Sequence, residues 1–405
     1  MPNLNTTIAI IGAGPAGMLA ALQLAKHGYS CALFGPPPPN DQRTTALMMP
    51  SIKALEDIAL FKTLKAYAAP LKTMRLIDDT HRLLRASSAS FYAHEIGETA
   101  FGYNLPNYIL NQNLLKTVKA HPLITYHPTQ VNTFNHHEDR VDFICDDDTH
   151  HQAALVIAAD GKNSRARAAA GIKLHQWNYP QTAIVFSFSH SHSHQDTSTE
   201  FHTQNGPFTQ IPLKGQNSSL VWVTHPKRAT ELLSLGPQAL AYETEMQMHS
   251  LLGKITLTSP PQAWPLSGGL AKKFAANRTL LLGEAAHALP PIGAQGLNLG
   301  IRDGQYLAKA LTQSTHDFGD KHVLRAYHRY RQPDIWTRSQ AVNLLNRALL
   351  SNLFSAQMAR YLGLELLRHT PPLRRLFMHE GMAPGSSWHA LTQTLPSWLK
   401  NHTPF

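Results

Sequence analysis

Residues 6–28, TTIAIIGAGPAGMLAALQLAKHG, narrow the fold more than any other stretch of the 405-residue chain. Residues 6–11 form an apolar run of strand length. Pro15 to Lys26 carries helical spacing, with Gly28 to stop it. Between them Gly12, Gly14 and Gly17 spell G-x-G-x-x-G. In this strand–turn–helix context each glycine has a task. Gly12 makes the tight turn, Gly14 lets a pyrophosphate approach the backbone, and Gly17 lets helix and strand close up. The helix N-terminus then offers unsatisfied N–H groups to the phosphates. Ala16, inside the same turn, joins the three glycines as a candidate contact. A second strand over 29–34 completes a βαβ unit, so the sequence predicts a dinucleotide site.

That second strand breaks a rule. Such sites place an Asp or Glu about 20 residues past the glycines, to hold a ribose hydroxyl. Here the strand runs through CALFGPPPPN (31–40), into Gly35 and four prolines. A nicotinamide dinucleotide leans heavily on that acid, whereas a larger ligand such as FAD makes enough other contacts to tolerate its loss. The net charge of +10 suits an acidic partner such as nucleic acid, anionic lipid or a phosphate-rich cofactor. No recognition motif accompanies the charge, which argues against nucleic acid. Two cysteines, Cys31 and Cys145, are too few for a disulfide framework. No apolar run reaches the roughly 18 residues of a membrane span. The opening apolar run enters the glycine turn without a basic n-region or cleavage site. The expectation is a cytoplasmic protein, with any membrane contact peripheral, on the inner face of the cytoplasmic membrane.

Further along, helical spacing recurs over 51–66, with Ser51 as N-cap, and over 107–120. Residues 72–77 and 81–86 read as a hairpin, and 122–127, 130–134 and 140–145 as strands. LVIAAD (155–160) is a buried strand ending in Asp160. From about 180 to 265 the pattern alternates, as in AIVFSFSH and SLVWVTH, and a helix near 229–252 interrupts it. TLLLGEAAH (279–287) returns to a buried strand. Helices follow over 296–312 and 319–332, and the rest is mostly helical. These segments predict a discontinuous nucleotide domain (1–71, 103–178 and 268–330), a β-sheet domain (72–102 and 179–267) and a C-terminal helical region (331–405). Phe186, Phe188 and Trp222 are candidates for a substrate wall, with core packing the plainer reading of each. HSHSH (190–194) reads as a polar edge or loop tip, and no metal centre is expected.

Two more strands end in acids: LVIAADGKNSRARAAAG (155–171) and RTLLLGEAAHALPPIGAQGLNLGIRDG (278–304). With Asp160–Gly161 followed by Asn163–Ser164–Arg165, and Gly283–Glu284–Ala285–Ala286–His287 followed by PPIGAQGLNLG, the chain resembles the aromatic-hydroxylase class of flavoprotein monooxygenases. Within that class it resembles the ubiquinone-biosynthesis hydroxylases. The resemblance covers 1–60, 100–175 and 278–335 best. It implies an α/β fold: a Rossmann-like FAD-binding domain, an inserted antiparallel β-sheet substrate domain and C-terminal helices. It implies FAD as cofactor. Asp160 is expected near the flavin side of the pyrophosphate, and Gly283–Glu284 near the ribityl chain, where the family usually has Asp. Arg43, in DQRTTAL, is expected at the pyrophosphate or the flavin edge. Asn111, with Gln112, falls where relatives offer a polar or basic group; Tyr108 stands where Arg is common. Pro290 and Pro291 stiffen a loop beside the flavin. Gly293, Gln295, Gly296, Leu297 and Asn298 open a helix whose N–H groups would face the pyrimidine end of the ring, anionic when reduced.

The resemblance also implies the reaction. NADH or NADPH serves as a transient reductant, and one oxygen atom of O2 passes through a flavin-bound peroxide to a ring carbon of a phenol. No covalent nucleophile is needed. The expected partner is a hydrophobic polyprenyl phenol, a precursor of ubiquinone. The tail helices carry Arg338, Arg347, Arg360, Arg368, Arg374 and Arg375 among leucines and aromatics. They read as a cover for the flavin domain or as a face for anionic lipid. Two alternatives stay open: a hydroxylase of a small soluble aromatic compound, and a non-enzymatic scaffold in a ubiquinone-biosynthesis complex.

Overall fold

The computed structural model describes residues 4–80, 87–290, 295–314, 317–350, 366 and 369–382. Strand Leu4–Ile11 sits inside the first sheet, between His150–Ala158 and Cys31–Phe34, parallel to both. Its residues Ile8 to Ile11 are buried, as a strand covered on both faces requires. Thr279–Leu281 continues the sheet beyond His150–Ala158, and Ile124–His127 continues it beyond Cys31–Phe34, again in parallel. All five strands therefore end on one edge, the edge at which open α/β sheets bind ligands.

A second sheet runs in the order His287–Ala288, Gln262–Ala271, Leu174–His190, Asn217–Thr224, Gly206–Leu213, Thr197–Thr203, Thr73–Asp78, Ala89–Tyr92. Its pairs are antiparallel, except that Thr73–Asp78 runs parallel to Thr197–Thr203. A three-stranded sheet of Thr44–Met48, Gly102–Pro106 and Ala69–Pro70 links the two. From it Thr44 Oγ1 donates to Ser219 Oγ at 2.8 Å, and Asn104 Nδ2 donates to the Pro212 carbonyl at 2.9 Å.

Strand parity decides the role of the aromatics. Ile184, Phe186, Phe188, Phe208, Leu220 and Trp222 share one face of the second sheet. They pack under helices Pro226–Ser234 and Pro237–Gln247, against Ala229, Leu232 and Leu240. Phe186, Phe188 and Trp222 are thus core and not substrate wall. The opposite, inner face presents Val185, Val221 and Thr209, all partly buried, on the side of Thr44 and Ser219.

Several boundaries differ from expectation for local reasons. Residues 51–66 form two helices, Met49–Asp57 and Phe61–Leu64, because Ala59 takes a positive φ of 58°. Ser51 lies inside the first and does not cap it. The helix expected near 229–252 is likewise two, split before Pro237. The stretch 279–287 holds only a short strand, after which Gly283–Ala285 makes a 3-10 turn. Helix Lys321–Leu350 runs on through Pro333, past the end of the helix expected over 319–332. The expected strand 81–86 lies outside the described residues.

Pro333 is tolerated because charges clamp the helix on both sides of it. Arg331 and Arg338 both reach Asp334, at 2.6 and 3.2 Å, and Arg302 reaches the same carboxylate at 3.1 Å. Deeper in, Asp303 is wholly buried. It accepts from Gly283 N–H at 2.8 Å, His287 Nε2 at 2.7 Å and Arg331 Nε at 2.6 Å. Burial alone would raise its pKa. Arg331, His287 and the Gly283 N–H outweigh burial and bring it from 3.8 down to about 2. Tyr327 completes the clamp, donating to the Leu281 carbonyl at 2.7 Å. The turn after Leu281 is thus held by side chains from two later helices.

Two outcomes follow. A helix-interior Gly→Ala change ordinarily stabilises by about 0.5–1 kcal/mol. At Gly17 a Cβ would lie 2.0 Å from the Gly12 carbonyl oxygen, so Gly17→Ala is expected instead to cost about 1–3 kcal/mol in urea unfolding. Asp303→Asn takes from the buried Arg331 one of its two carboxylate partners, leaving Asp334, and is expected to cost up to about 3–5 kcal/mol. Because the folded pKa of Asp303 lies below its ordinary value, its contribution is complete above about pH 4 and is lost as pH falls toward 2. Unfolding curves between those pH values should flatten in Asp303→Asn relative to the parent; an unchanged slope would refute the linkage.

Candidate functional site

The three motifs meet where side chains are absent. An added Cβ at Gly12, whose φ is +114°, would lie 2.3 Å from the Ala159 carbonyl oxygen and 2.7 Å from Asp160 N. The Asp160 turn therefore touches the glycine turn directly. On the other side, a Cβ at Gly283 would lie 3.1 Å from Ala16 Cβ, and one at Gly300 would lie 3.3 Å from it. Ala16 is the pivot against which the third motif packs. Gly14 differs from its neighbours: nothing lies within 4 Å of its Cβ position. It caps the twelve-residue helix Pro15–Lys26, which has no acid in its first turn. Open space beside free helix N–H groups is what a pyrophosphate needs.

The missing ribose acid has a steric cause. Gly35, just past strand Cys31–Phe34, has φ +150°, and a Cβ there would lie 2.6 Å from Ala13 N. The glycine turn is folded so tightly against this strand end that no side chain fits.

Asp160 lies at the edge, partly buried. Its Oδ2 accepts from Ala166 N–H at 3.1 Å, while its Oδ1 is buried with no partner among the described residues. Arg167, which the sequence reading passed over, ties this turn to the next motif. It donates to the Ala285 and Lys162 carbonyls, both at 2.9 Å. Burial lowers the Arg167 pKa, with Asp160 opposing. Glu284 is exposed at the strand edge, carried by Gly283 at φ +57°.

Arg43 faces the same opening. Asp41 holds it with hydrogen bonds at 2.8 Å to both Nε and Nη2, and Asn107 Nδ2 donates to Asp41 at 2.8 Å. The Asp41 bond raises the Arg43 pKa first, burial opposes, and the field of Glu284 adds to the rise. Its guanidinium lies 4.8 Å from the centre of the Trp264 ring, on the strand Gln262–Ala271. Asp41 was not singled out from sequence, although its spacing two residues before Arg43 is a usable signal.

On helix Asn107–Ala120, Asn111 is buried with its Oδ1 unpartnered, whereas Gln112 and Tyr108 face solvent. Asn298 is fully engaged elsewhere. Its Oδ1 accepts from Met48 N–H at 2.9 Å and Ser51 Oγ at 2.6 Å, and its Nδ2 donates to the Ala46 carbonyl at 2.9 Å. The side chain thus braces strand Thr44–Met48 against helix Gln295–Leu311, leaving only the backbone of this turn for a ligand. Gln295 accepts from Arg338. Gly296 is exposed, Leu297 partly buried and Pro290 buried. Pro291 and Gly293 lie outside the described residues.

In the HSHSH stretch the His190 and His194 rings meet edge to face at 5.4 Å, but His190 contacts the His192 carbonyl and Ser218, and His194 the Leu213 carbonyl. Two tail arginines are also committed within the protein. Arg338 is buried against Asp334, and burial, then Arg302, pulls its pKa down to about 10. Arg374 pairs with Glu95 at 2.6 Å.

The site as a whole has the chemistry of an FAD cradle. Among the described residues it combines an open helix N-terminus, a carboxylate oxygen without a partner and an exposed carboxylate in the field of an arginine, at the ends of the parallel strands. Comparison with known proteins agrees. The chain is similar to a ubiquinone hydroxylase, UbiL, of Rhodospirillum rubrum, with 29% identity over 93% of this chain and 89% of that one. It is similar to the 3-demethoxyubiquinol 3-hydroxylase of Escherichia coli, with 28% identity over 93% and 98% of the two chains. Among solved structures, p-nitrophenol 4-monooxygenase PnpA of Pseudomonas putida matches with a TM-score of 0.76 at 16% identity, over 94% of this chain and 99% of that one. Residues 5–342 match the FAD binding domain family, and the chain belongs to it.

Proposed function

We propose that this protein is an FAD-dependent monooxygenase that hydroxylates the aromatic ring of a polyprenylated phenol on the way to ubiquinone. The observation that carries the reading is the convergence of Gly14, Asp160 and Glu284 on one strand edge, opposite a second sheet with a partly open inner face. Relatives named ubiquinone hydroxylase and 3-demethoxyubiquinol 3-hydroxylase, matched over nearly the whole chain, support the substrate class.

FAD, reduced by NADH or NADPH, supplies oxygen activation and transfer of one oxygen atom. The chain supplies binding and position. The turn at Gly12, Gly14, Ala16 and Gly17 and the helix behind it hold the pyrophosphate. Asp160 Oδ1 and Asn111 Oδ1 take donors from the cofactor, and Gly283–Glu284 holds the ribityl hydroxyls. Arg43, kept charged and aimed by Asp41, neutralises phosphate or the flavin edge. The N–H groups of Gln295, Gly296, Leu297 and Asn298 favour negative charge on the reduced ring. Pro290 stiffens the chain beside it. The residue ranges given for the flavin, sheet and tail domains belong to this reading. The inner face of the second sheet, with Val185 and Val221, excludes water from the reacting ring.

No helix among the described residues is long and apolar enough to cross a membrane. The tail nonetheless exposes Trp336, Leu344, Leu366 and Phe377 by half or more. In our reading this apolar face, with the exposed Arg375, rests on lipid that holds the prenyl tail. Replacing both Trp336 and Phe377 by serine is expected to lower co-sedimentation with anionic vesicles several-fold.

The purified protein is expected to be yellow and to oxidise NAD(P)H faster when given a short-chain prenylated phenol, with product heavier by one oxygen. A flavin-loaded protein indifferent to prenylated phenols but stimulated by a small aromatic acid would replace this reading with the soluble-substrate one. Hydrogen bonds to charged groups are worth about 1.5–3 kcal/mol, so Asp160→Asn is expected to weaken FAD binding by about tenfold or more in a fluorescence titration.

A further inference from the structure

Three guanidinium groups crowd one carboxylate beside the start of helix Gln295–Leu311. Arg302, Arg331 and Arg338 reach Asp334 at 3.1, 2.6 and 3.2 Å. Arg331 also pairs with Asp303, which His287 shares. Among the described residues no other carboxylate pairs with these three arginines. Two acids therefore face three cations, and one positive charge is left over. That charge is not left in water, since Arg338 is 8% exposed. A buried charge is costly unless it is paired. Burial, and then the field of Arg302, hold the Arg338 pKa down at about 10, as befits a cation short of negative partners.

Geometry shows where a counter-charge would sit. Arg338 gives Nε to Asp334 and Nη1 to Gln295, but its Nη2 is buried with no hydrogen-bond partner. Arg331 Nη2 is also unpartnered, yet that guanidinium lies 5.1 Å from the centre of the Tyr306 ring, whose face attracts a cation. Arg338 instead lines a cavity, with Arg302, Gln295, Asn298, Met48, Leu299 and Met382 among its walls. The cavity volume is about 10 Å³, room for one water-sized guest. The acceptors on its walls are already spent. Asn298 Oδ1 takes Met48 N–H and Ser51 Oγ, and Gln295 Oε1 takes Arg338 itself. Helices Met49–Asp57 and Gln295–Leu311 both start at this cavity, and neither has an acid in its first turn. Their positive ends add to the field of the arginines. A water would satisfy Nη2 without neutralising the charge. A phosphate or carboxylate would neutralise it but exceeds the space.

We propose that this cavity binds one halide ion, of the class of chloride and bromide, on Arg338 Nη2 and beside Arg302. A monatomic anion is near water in size and accepts from several N–H donors at once. It also tolerates the apolar wall of Met48, Leu299 and Met382 better than a strongly hydrated anion does. The site stands apart from the flavin cradle and does not depend on the hydroxylase reading. Its effect is mechanical. Met382 ends helix Pro371–Met382, and Gln295, bonded to Arg338, opens helix Gln295–Leu311. The ion thus fastens the tail and the start of that helix to the same arginine.

The test compares halide with gluconate, an anion too large for the cavity, on the FAD-loaded full chain at fixed ionic strength and pH. Replacing gluconate by chloride or bromide is expected to raise Tm by about 2 °C or more, and the rise should saturate with concentration. Arg338→Met should lose the halide-dependent rise, and Arg302→Met most of it. Crystals soaked in bromide should show an anomalous-scattering peak in contact with Arg338 Nη2. Should Arg338→Met fail to fold, Arg302→Met and the bromide peak decide. No halide-dependent rise, an equal rise in parent and Arg338→Met, or bromide peaks elsewhere and none in this cavity would each overturn the assignment. A peak in the cavity without the rise in Tm would mark an adventitious ion only, and would overturn it as well.

Discussion

Backbone touches backbone where Gly12 meets Ala159 and Gly17 meets Gly12, Gly283 closes on the Ala16 methyl, and much else in this molecule depends on those contacts. At Gly12 and Gly17 the space for a Cβ is filled by carbonyl oxygen, and at Gly283 by the Ala16 methyl. Such closeness draws three strand ends, distant in sequence, to one edge. It also sets what can be built there. Once the glycine turn lies on the end of strand Cys31–Phe34, position 35 has no room for a side chain, and the usual ribose acid is sterically excluded. The contact that assembles the site thus removes one of its customary ligands. Its remaining polar groups must come from the other two strand ends.

Close packing of small residues has little holding power of its own, since alanines and glycines bury little apolar area. The hold comes from a buried charge. Asp303 grips the Gly283 amide and is itself gripped by Arg331 from the following helix. A buried ion pair is weak support for stability in general, but removing one of its partners is strongly destabilising. Arg331 also shares Asp334 with Arg302 and Arg338. The network therefore couples the position of the Glu284 turn to helix Lys321–Leu350, and so to the tail.

How much of this was legible depended on whether a feature was local. The glycine turn, the strand ends at Asp160 and Glu284 and the existence of two sheets are written in short contiguous patterns. Sequence reading found them because sterics and backbone hydrogen bonding act over a few residues. What it missed joins distant residues. Arg167 reaches Ala285, and Asp303 joins Gly283, His287 and Arg331; these partners have no common sequence period. At Asn298 the motif showed a helix start, but not that its amide would join Met48, Ser51 and Ala46. The helix expected over 319–332 instead runs on through Pro333, where ion pairs to Asp334 hold the turns on both sides.

The second sheet shows the limit most plainly. Alternation in AIVFSFSH and SLVWVTH reveals two faces but not which one looks inward, and the larger side chains invite the wrong choice. Phe186, Phe188 and Trp222 are large because they fill the gap under helices Pro226–Ser234 and Pro237–Gln247, where volume is what stabilises. The inner face differs. There Val185 and Val221 lie half-buried beside Ala183, Val223 and Leu266, and Thr209 with Glu200 and His202 adds polar contacts. Size alone does not mark the face, since Trp264, paired with Ala183, stands on the inner one against Arg43.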